Sequence, residues 1–559
     1  MATTETVESA ERSGEWRVFG PPGTGKTSWL KRQIEKAAAK HGAESVLVAS
    51  FTKAAARVLV GRDLPISDEQ IGTLHAHCYR AMGRPKIADA YLKEFGEASN
   101  YLLTGVSKAP SMEHGDDLPA GTSTDDELYM DYGRLRNMMV PEAMWTPSVQ
   151  AFARKWSEWK REHDMLDFTD LIEKASNEML YAPNNAQILF MDEVQDCSAL
   201  QLKLIRRWGK AARFYILAGD DDQAIYGWMG AHAEALVGDD FPEERKLFLK
   251  QSWRVPRAIQ VYAQGIIERV GRRQAKEYLP RDEEGEVGLC PSTWKNHYNL
   301  LCDVQDDLDR GKSVMVIAPC AYALDNLTAE LKAQGVPFHN PYRKINALWN
   351  PLVMSAKRES SLSRVHDFLQ PALTLGEGDK VSRIWAPRQM LAWLKLIDRK
   401  RWFAEGFLAR LKEWEKADVT AIQMLELMWN HSLDPDYLST VVTAISQGGG
   451  LDYLKANLNL GAKINPKSTE YAIKVIEAHD LDAYKVEPKL VIGTIHSVKG
   501  AEADCVYIIP DVPQRVYQET VSDRQAYDGA VRLAYVAVTR AREKVMVLRP
   551  EGRFKLRGI

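Results

Sequence analysis

Short apolar runs recur along the chain, each closing on polar or glycine-rich positions: 17–19, 46–50, 188–191, 214–218, 314–318, 490–493, 506–509 and 545–548. Stretches with helical periodicity lie between many of them. A strand buried on both faces reads as an unbroken apolar run, so the pattern predicts parallel α/β sheets wrapped by helices. The runs form two groups, one before residue 255 and one after 310, which predicts two α/β cores. Each group is interrupted. Residues about 85–165 read as helix or loop, with a Gly/Ser/Thr/Asp-rich stretch near 111–127. Residues about 350–480 carry helical periodicity and the tryptophans Trp385, Trp393, Trp402, Trp414 and Trp429, with a turn at Gly448 to Gly450.

The expected organisation is a loose polar tail over 1–14 and a first core from 15–84 and 166–254. A mainly helical insertion over 85–165 interrupts that core. A second core comes from 255–349 and 481–559, interrupted by a mainly helical insertion over 350–480. The length of 559 residues requires several domains, and 45% apolar composition is enough to fill their cores. A net charge of −3 excludes a general basic field, so any nucleic acid must lie in a local groove. The six cysteines (Cys78, Cys197, Cys290, Cys302, Cys320, Cys505) show no paired spacing. That argues against a disulfide framework or zinc site and fits a reducing cytoplasm. No apolar run is long enough to span a bilayer, so no membrane partner is expected.

Chemistry enters with Gly20-Pro-Pro-Gly-Thr-Gly-Lys-Thr27, which follows a short strand and opens a helical stretch at 28–39. This is the full P-loop pattern in its required setting. Gly20, Pro21, Pro22, Gly23, Thr24, Gly25, Lys26 and Thr27 are therefore the expected ATP-binding loop. Glycines let backbone N–H groups approach phosphates, and the helix N-terminus favours their charge. Lys26 is expected on the β/γ-phosphates and the Thr27 hydroxyl on Mg²⁺. Asp192-Glu193 closes the run 188–191. A carboxylate there suits Mg²⁺, and a second beside it suits the attacking water, so Asp192 is assigned to the metal and Glu193 to the base. An Asp-Glu pair after a strand is by itself usually a solvated strand end; the P-loop reverses that preference.

An ordered series of motifs follows. After the P-loop come Ser50-Phe-Thr-Lys-Ala-Ala-Ala-Arg57, Gly72-Thr-Leu-His-Ala-His-Cys78, Asp167-Phe-Thr-Asp-Leu171 and Asp192-Glu-Val-Gln-Asp196. Gly219-Asp-Asp-Asp-Gln-Ala-Ile-Tyr-Gly-Trp228, Gln251-Ser-Trp-Arg254, Thr494-Ile-His-Ser-Val-Lys-Gly-Ala-Glu502 and Tyr535-Val-Ala-Val-Thr-Arg-Ala-Arg542 complete it. The series resembles the superfamily 1 helicases of the UvrD/Rep/PcrA type. The resemblance implies two RecA-like P-loop domains with two inserted helical subdomains. It implies Gln223 as the γ-phosphate sensor and Arg254 and Arg540 as arginine fingers reaching across a cleft. Gly500 and Glu502 fall at the family's nucleotide contacts, Glu502 at the ribose. Trp253 replaces the usual Tyr that stacks on adenine. For the two arginines the plain alternative is a surface salt bridge; for Gln223 and Glu502 it is a solvated loop.

The resemblance also implies a track for single-stranded DNA, where aromatic faces stack on bases beside cationic grooves. Phe51, Tyr226 and Trp228 stand where the family places stacking aromatics, and Thr52, Thr73, His75 and His496 where it contacts the strand. Core packing is the rival reading for the aromatics, and a structural role for His496. Trp156 and Trp159 lie in the basic stretch 154–161, read as a solvated helix face. Gln223-Ala-Ile-Tyr-Gly-Trp228 has the form of the 3′→5′ branch. Met229 stands where an Arg is common, and the upstream adenine-reading element is not visible before Gly20. The expected function is an ATP-dependent, 3′→5′ DNA helicase using ATP and Mg²⁺, acting as a monomer or weak dimer on single strands and ss/ds junctions, with replication or repair proteins as partners. A translocase that strips proteins with little unwinding, and a non-motor P-loop switch, are the alternatives.

Overall fold

The apolar runs of the first group pair as strands. In the computed structural model these are β1 (Gly14–Phe19), β2 (Val46–Ser50) and β3 (Ile71–Thr73), then a short parallel pair, β4 (Lys86–Ile87) with β5 (Met165–Leu166). They are followed by β6 (Ile188–Asp192), β7 (Phe214–Gly219) and β8 (Lys246–Phe248). The structure describes residues 14–51, 64–104, 124–227, 230–231, 236–237, 241–340, 360–376, 382–457, 466–479, 481 and 486–559. It divides into two units, Met1–Ala323 with Gly493–Ile559, and Leu324–Ile492.

In the first unit six strands form one sheet in the order β3-β2-β6-β7-β1-β8, every neighbouring pair parallel. Every residue of β2, β6 and β7 is buried, which is why their sequence is continuous rather than alternating. The helix Lys26–His41 lays Leu30 and Ile34 against Val18, Val48, Phe190 and Ile216 of the sheet. Because the strands run the same way, the loops after β1, β6 and β7 all emerge at one edge, where α/β sheets hold ligands.

Between β4 and β5 lie the helices Leu92–Ser99, Thr124–Asn137 and Pro147–Glu162. Here one expectation fails. Trp156 and Trp159 are not on a solvated face: both are buried, stacked at 5.4 Å between centroids, with Phe95 edge-on to each. Val149, Phe152, Trp156 and Trp159 form one helical stripe, and the basic residues between them disguised it. The motif residue Asp167 caps the helix Phe168–Glu178 and is held by Arg136 (2.9 Å) and Lys160 (2.5 Å). Burial would raise its carboxyl, but these two cations outweigh burial and keep it well below the usual carboxylate range.

The chain then runs through β9 (Gln251–Pro256), which pairs with β10 (Leu279–Arg281), to β11 (Glu286–Cys290) and β12 (Val314–Ala318). Among its described residues the second unit is mainly helical, with β13 (Leu373–Leu375) pairing antiparallel with β14 (Ser382–Ile384). Its centre is aromatic. Trp385 and Trp393 are fully buried with centroids 4.8 Å apart, and Trp385 Nε1 donates to the Phe368 carbonyl at 2.8 Å. β15 (Leu490–Thr494) carries the chain back into the first unit, which closes with β16 (Ala503–Ile508) and β17 (Ala541–Leu548). The second sheet has the order β11-β17-β16-β12-β15, and its β11-β17-β16-β12 pairs are parallel. The fold is thus α/β, with parallel sheets and helical insertions. Among the described residues no helix is long and apolar enough to cross a membrane.

Candidate nucleotide site and the cleft around it

β1 delivers Gly20 to the sheet edge, where its N–H donates to the Gly219 carbonyl at 3.0 Å. The loop turns on Gly23 and Gly25, whose φ values of +76° and +75° favour glycine. Gly25 caps the helix Lys26–His41 without a side-chain hydrogen bond, and a helix N-terminus of this kind favours a ligand of negative charge. Thr24 Oγ1 donates to the Pro21 carbonyl at 2.8 Å, bracing the loop from within. Lys26 Nζ lies 3.0 Å from Glu193 Oε1. Burial pulls the Lys26 ammonium down, yet the Glu193 and Asp192 carboxylates outweigh it and hold it above its ordinary value. Glu193 sits at φ +55° just past β6, its N–H donating to Asp192 Oδ1 at 3.0 Å and its Oε2 accepting from Gln195 Nε2 at 2.5 Å. Burial would raise the Glu193 carboxyl; Lys26 and Lys499 override it and bring it to about 2. Thr27 and the buried Asp192 offer hard oxygen donors at this edge, the chemistry Mg²⁺ takes.

β9 crosses over the loop. Trp253 N–H donates to the Gly23 carbonyl at 2.8 Å, and Ser252 Oγ and Tyr278 O–H both donate to the Pro22 carbonyl at 2.9 Å. Arg254 therefore does not reach across a cleft from the far side; its backbone already lies on the phosphate loop. Its Nε donates to Glu502, which Arg542 Nε also holds at 3.1 Å. Burial would raise the Glu502 carboxyl, but Arg254 and Arg542 hold it below its ordinary range. Trp253 is 74% exposed, and its Cδ1 would lie 3.9 Å from a Cβ on Gly25. An open indole face thus stands beside the loop, which suits stacking on a base. Arg540 is 1% exposed and each guanidinium nitrogen donates once: Nε to the Val536 carbonyl (3.0 Å), Nη1 to the Ala501 carbonyl (3.1 Å) and Nη2 to Gln223 Oε1 (3.1 Å). Burial and the neighbouring Arg254 charge push its guanidinium down to about 9. Gly500, at φ +87°, turns the chain just before Ala501.

The residues expected on the DNA track are partly brought together. Phe51 and Tyr226 pack at 5.7 Å between centroids and Tyr226 and His496 at 5.8 Å. Tyr226 O–H donates to the His496 carbonyl, and His496 Nε2 donates to the Ile225 carbonyl, both at 3.3 Å. Phe51 is 7% and Tyr226 3% exposed, so neither offers an open face for a base in this arrangement. Thr73 accepts the Ala76 N–H at 3.2 Å as the cap of the helix Leu74–Ala81. His75 lies edge-on to Phe168 at 5.9 Å and lines a small pocket together with Phe51. Thr52, Trp228 and Met229 lie outside the described residues.

Two family models match the chain: an AAA domain over residues 3–229 and the UvrD-like helicase C-terminal domain over residues 466–549. The ATP-dependent DNA helicase PcrA of Staphylococcus aureus is 26% identical over 318 residues, 51% of this chain and 42% of that protein. The chain belongs to the UvrD/PcrA-like superfamily 1 helicase family. PcrA of Staphylococcus epidermidis is 25% identical over 316 residues, again covering 51% of this chain and 42% of the relative. The match spans less than half the length of these relatives. A solved structure titled "The structure of PRRSV helicase" superposes with a TM-score of 0.31 at 12% identity, covering 98% of this chain and 54% of that one, too loose to bear on fold or function.

Within this UvrD/PcrA-like chain the motif reading passed over two residues. Lys499 Nζ donates to Asp196 at 2.7 and 2.5 Å and to the Gln223 carbonyl at 2.6 Å, and lies 5.1 Å from the Tyr226 ring centroid. Burial pushes the Asp196 carboxyl up to about 6 against the pull of Lys499. Both residues stand inside motifs already quoted; a pairing over 303 positions leaves no local signal.

Proposed function

We propose that the chain is an ATP-driven DNA helicase that moves 3′→5′ along single-stranded DNA and separates duplex strands. The observation that carries the reading is the position of Gln223. Its side chain meets Arg540, its carbonyl meets Lys499, and Lys499 lies over Tyr226. One residue thus touches both the phosphate side and the expected polymer side. The names of the PcrA relatives agree with DNA as the polymer.

The residues divide the work as follows. The loop N–H groups and Lys26 take the β/γ-phosphates, and Trp253 stacks on the base. Thr27 and Asp192 would hold Mg²⁺, which when bound would supply charge neutralisation to the phosphates. When phosphates draw Lys26 away, Glu193 loses its largest counter-charge. Its carboxylate is then released to accept a proton from the attacking water. Arg254 and Arg540 spread the charge growing on the transferred phosphoryl group. Loss of that group frees Gln223, and Lys499 passes the change to Tyr226 and His496. In this proposal the first core (15–84, 166–254) and the second (255–349, 481–559) clamp and release one nucleotide per step, and a DNA base step of about 1.4 kcal/mol is within the scale of one ATP.

The test pairs ATP turnover, with and without single-stranded DNA, with strand displacement on 3′- and 5′-tailed duplexes. DNA-stimulated turnover with unwinding of the 3′-tailed duplex is expected. Preference for the 5′ tail overturns the direction. Stimulation without unwinding leaves a translocase, and no stimulation leaves a P-loop switch.

A further inference from the structure

Three consecutive aspartates, Asp220, Asp221 and Asp222, follow β7 with side chains 0–1% exposed. Three like charges buried together are untenable unless cations meet them. One ammonium does most of this. Lys276 Nζ lies 2.9 Å from Asp220 Oδ1, 2.5 Å from Asp221 Oδ1 and 2.8 Å from Asp222 Oδ2, and its side chain is 1% exposed. Lys276 Nζ donates to Asp221 Oδ1 and is ion-paired with the other two carboxylates. Arg273 grips Asp222 through Nε at 2.8 Å and Nη2 at 2.5 Å, and the Gln274 N–H takes Asp221 Oδ2 at 2.8 Å.

One carboxylate oxygen of this cluster points elsewhere. Asp220 Oδ2 accepts from Gln223 Nε2 at 2.8 Å. That bond fixes which way the Gln223 amide faces, so that its Oε1 meets Arg540. The Asp220 N–H donates to Gln195 Oε1 at 3.0 Å, and Gln195 Nε2 donates to Glu193 at 2.5 Å. Asp220 therefore stands between the sensor and the base. Lys276 belongs to no quoted motif and reaches in from the segment between the helix Arg257–Ile267 and β10.

We propose that Lys276 is a positioning residue for ATP turnover: it holds Asp220, and through Asp220 it orients Gln223 toward Arg540. This rests on the ATP-hydrolysis reading above. Lys276 touches no substrate, so its removal acts on turnover and not on nucleotide affinity.

The experiment compares Lys276→Met, Lys276→Arg, Gln223→Ala and the double variant Lys276→Met/Gln223→Ala at saturating single-stranded DNA. Lys276→Met is expected to lower kcat by about tenfold or more while KM for ATP moves by less than about threefold, with Lys276→Arg recovering part of the rate. In the Gln223→Ala background the Lys276 change should add less than about twofold, because the residue it acts through is gone. An equal loss in both backgrounds, or a Lys276→Met rate near wild type, overturns the proposal. Should Lys276→Met fail to fold, Asp220→Asn decides. Its amide keeps the volume but, whichever way it turns, loses either Lys276 or Gln223. A loss of kcat of about fivefold or more with KM preserved is expected, and an unchanged kcat overturns the proposal. No turnover in the wild-type chain overturns both this proposal and the functional reading; a wild-type rate that the variants leave alone overturns only the role of Lys276.

Discussion

Arg540 Nη2 and Gln223 Oε1 meet at 3.1 Å, although 317 positions separate the two residues. The guanidinium is also tied to two main-chain carbonyls, so its plane is fixed before any nucleotide arrives. A charge held in place without reorganisation is what a transferring phosphoryl group needs.

Arg540→Lys should therefore be far from conservative. A lysine has no planar fork and cannot hold Gln223 and both carbonyls together. Turnover should fall by about 10³-fold or more, with nucleotide affinity changed much less. Steady-state kinetics beside equilibrium binding of a fluorescent ATP analogue will read this, and a kcat within tenfold of wild type would count against Arg540 as a finger.

Lys26→Ala should abolish turnover and weaken ATP binding, because the loop loses its one side-chain cation for the phosphates. Glu193→Gln should abolish turnover, by about 10²–10⁴-fold, yet still bind ATP, since the amide keeps the shape but cannot accept a proton. Near-normal hydrolysis in either variant would displace these assignments.

These residues were readable because a P-loop and a strand-end carboxylate pair are local patterns whose chemistry depends on neighbours in sequence. The parallel sheets were readable for the same reason, from the unbroken runs of β2, β6 and β7. What escaped was long-range. Nothing near Lys499 or Lys276 announces Asp196 or the three aspartates. Trp156 and Trp159 were misread because charged neighbours hid a helical stripe. Phe51 and Tyr226 have the residue types of a stacking platform, but sequence does not show that they close on each other.

Trp253→Ala should raise KM for ATP by about twofold to tenfold with little change in kcat, the scale of one aromatic stacking contact. Stacking reads any base by its face, so KM for GTP and CTP should rise in parallel. A rise confined to ATP would point to a base-specific contact elsewhere.

His77 makes a prediction about acid. Its Nε2 donates to the Val48 carbonyl at 3.0 Å, so Nδ1 is the acceptor facing Arg80 Nη2 at 3.1 Å, and the native ring is neutral. Burial, with the Arg80 charge beside it, pushes the imidazole down to about 4 from 6.5. The folded value lies below the unfolded one, so this stabilisation is complete above pH 6.5 and is lost as pH falls through about 4. The loss is on the order of 3 kcal/mol. Thermal unfolding of wild type and His77→Gln between pH 7.5 and 4.5 should show a steeper fall for the wild type; parallel curves would refute it.

The crossing of β9 over the phosphate loop has a mechanical result. A Cβ on Gly23 would come within 2.5 Å of Arg254 Cβ, and the two backbones are already bonded there. Glycine at position 23 is thus what lets β9 lie directly on the phosphate loop, and any larger residue there would force the two segments apart. The two guanidiniums are then held differently: the backbone beside Arg254 is bonded to the phosphate loop, whereas Arg540 is held by Gln223 and two main-chain carbonyls.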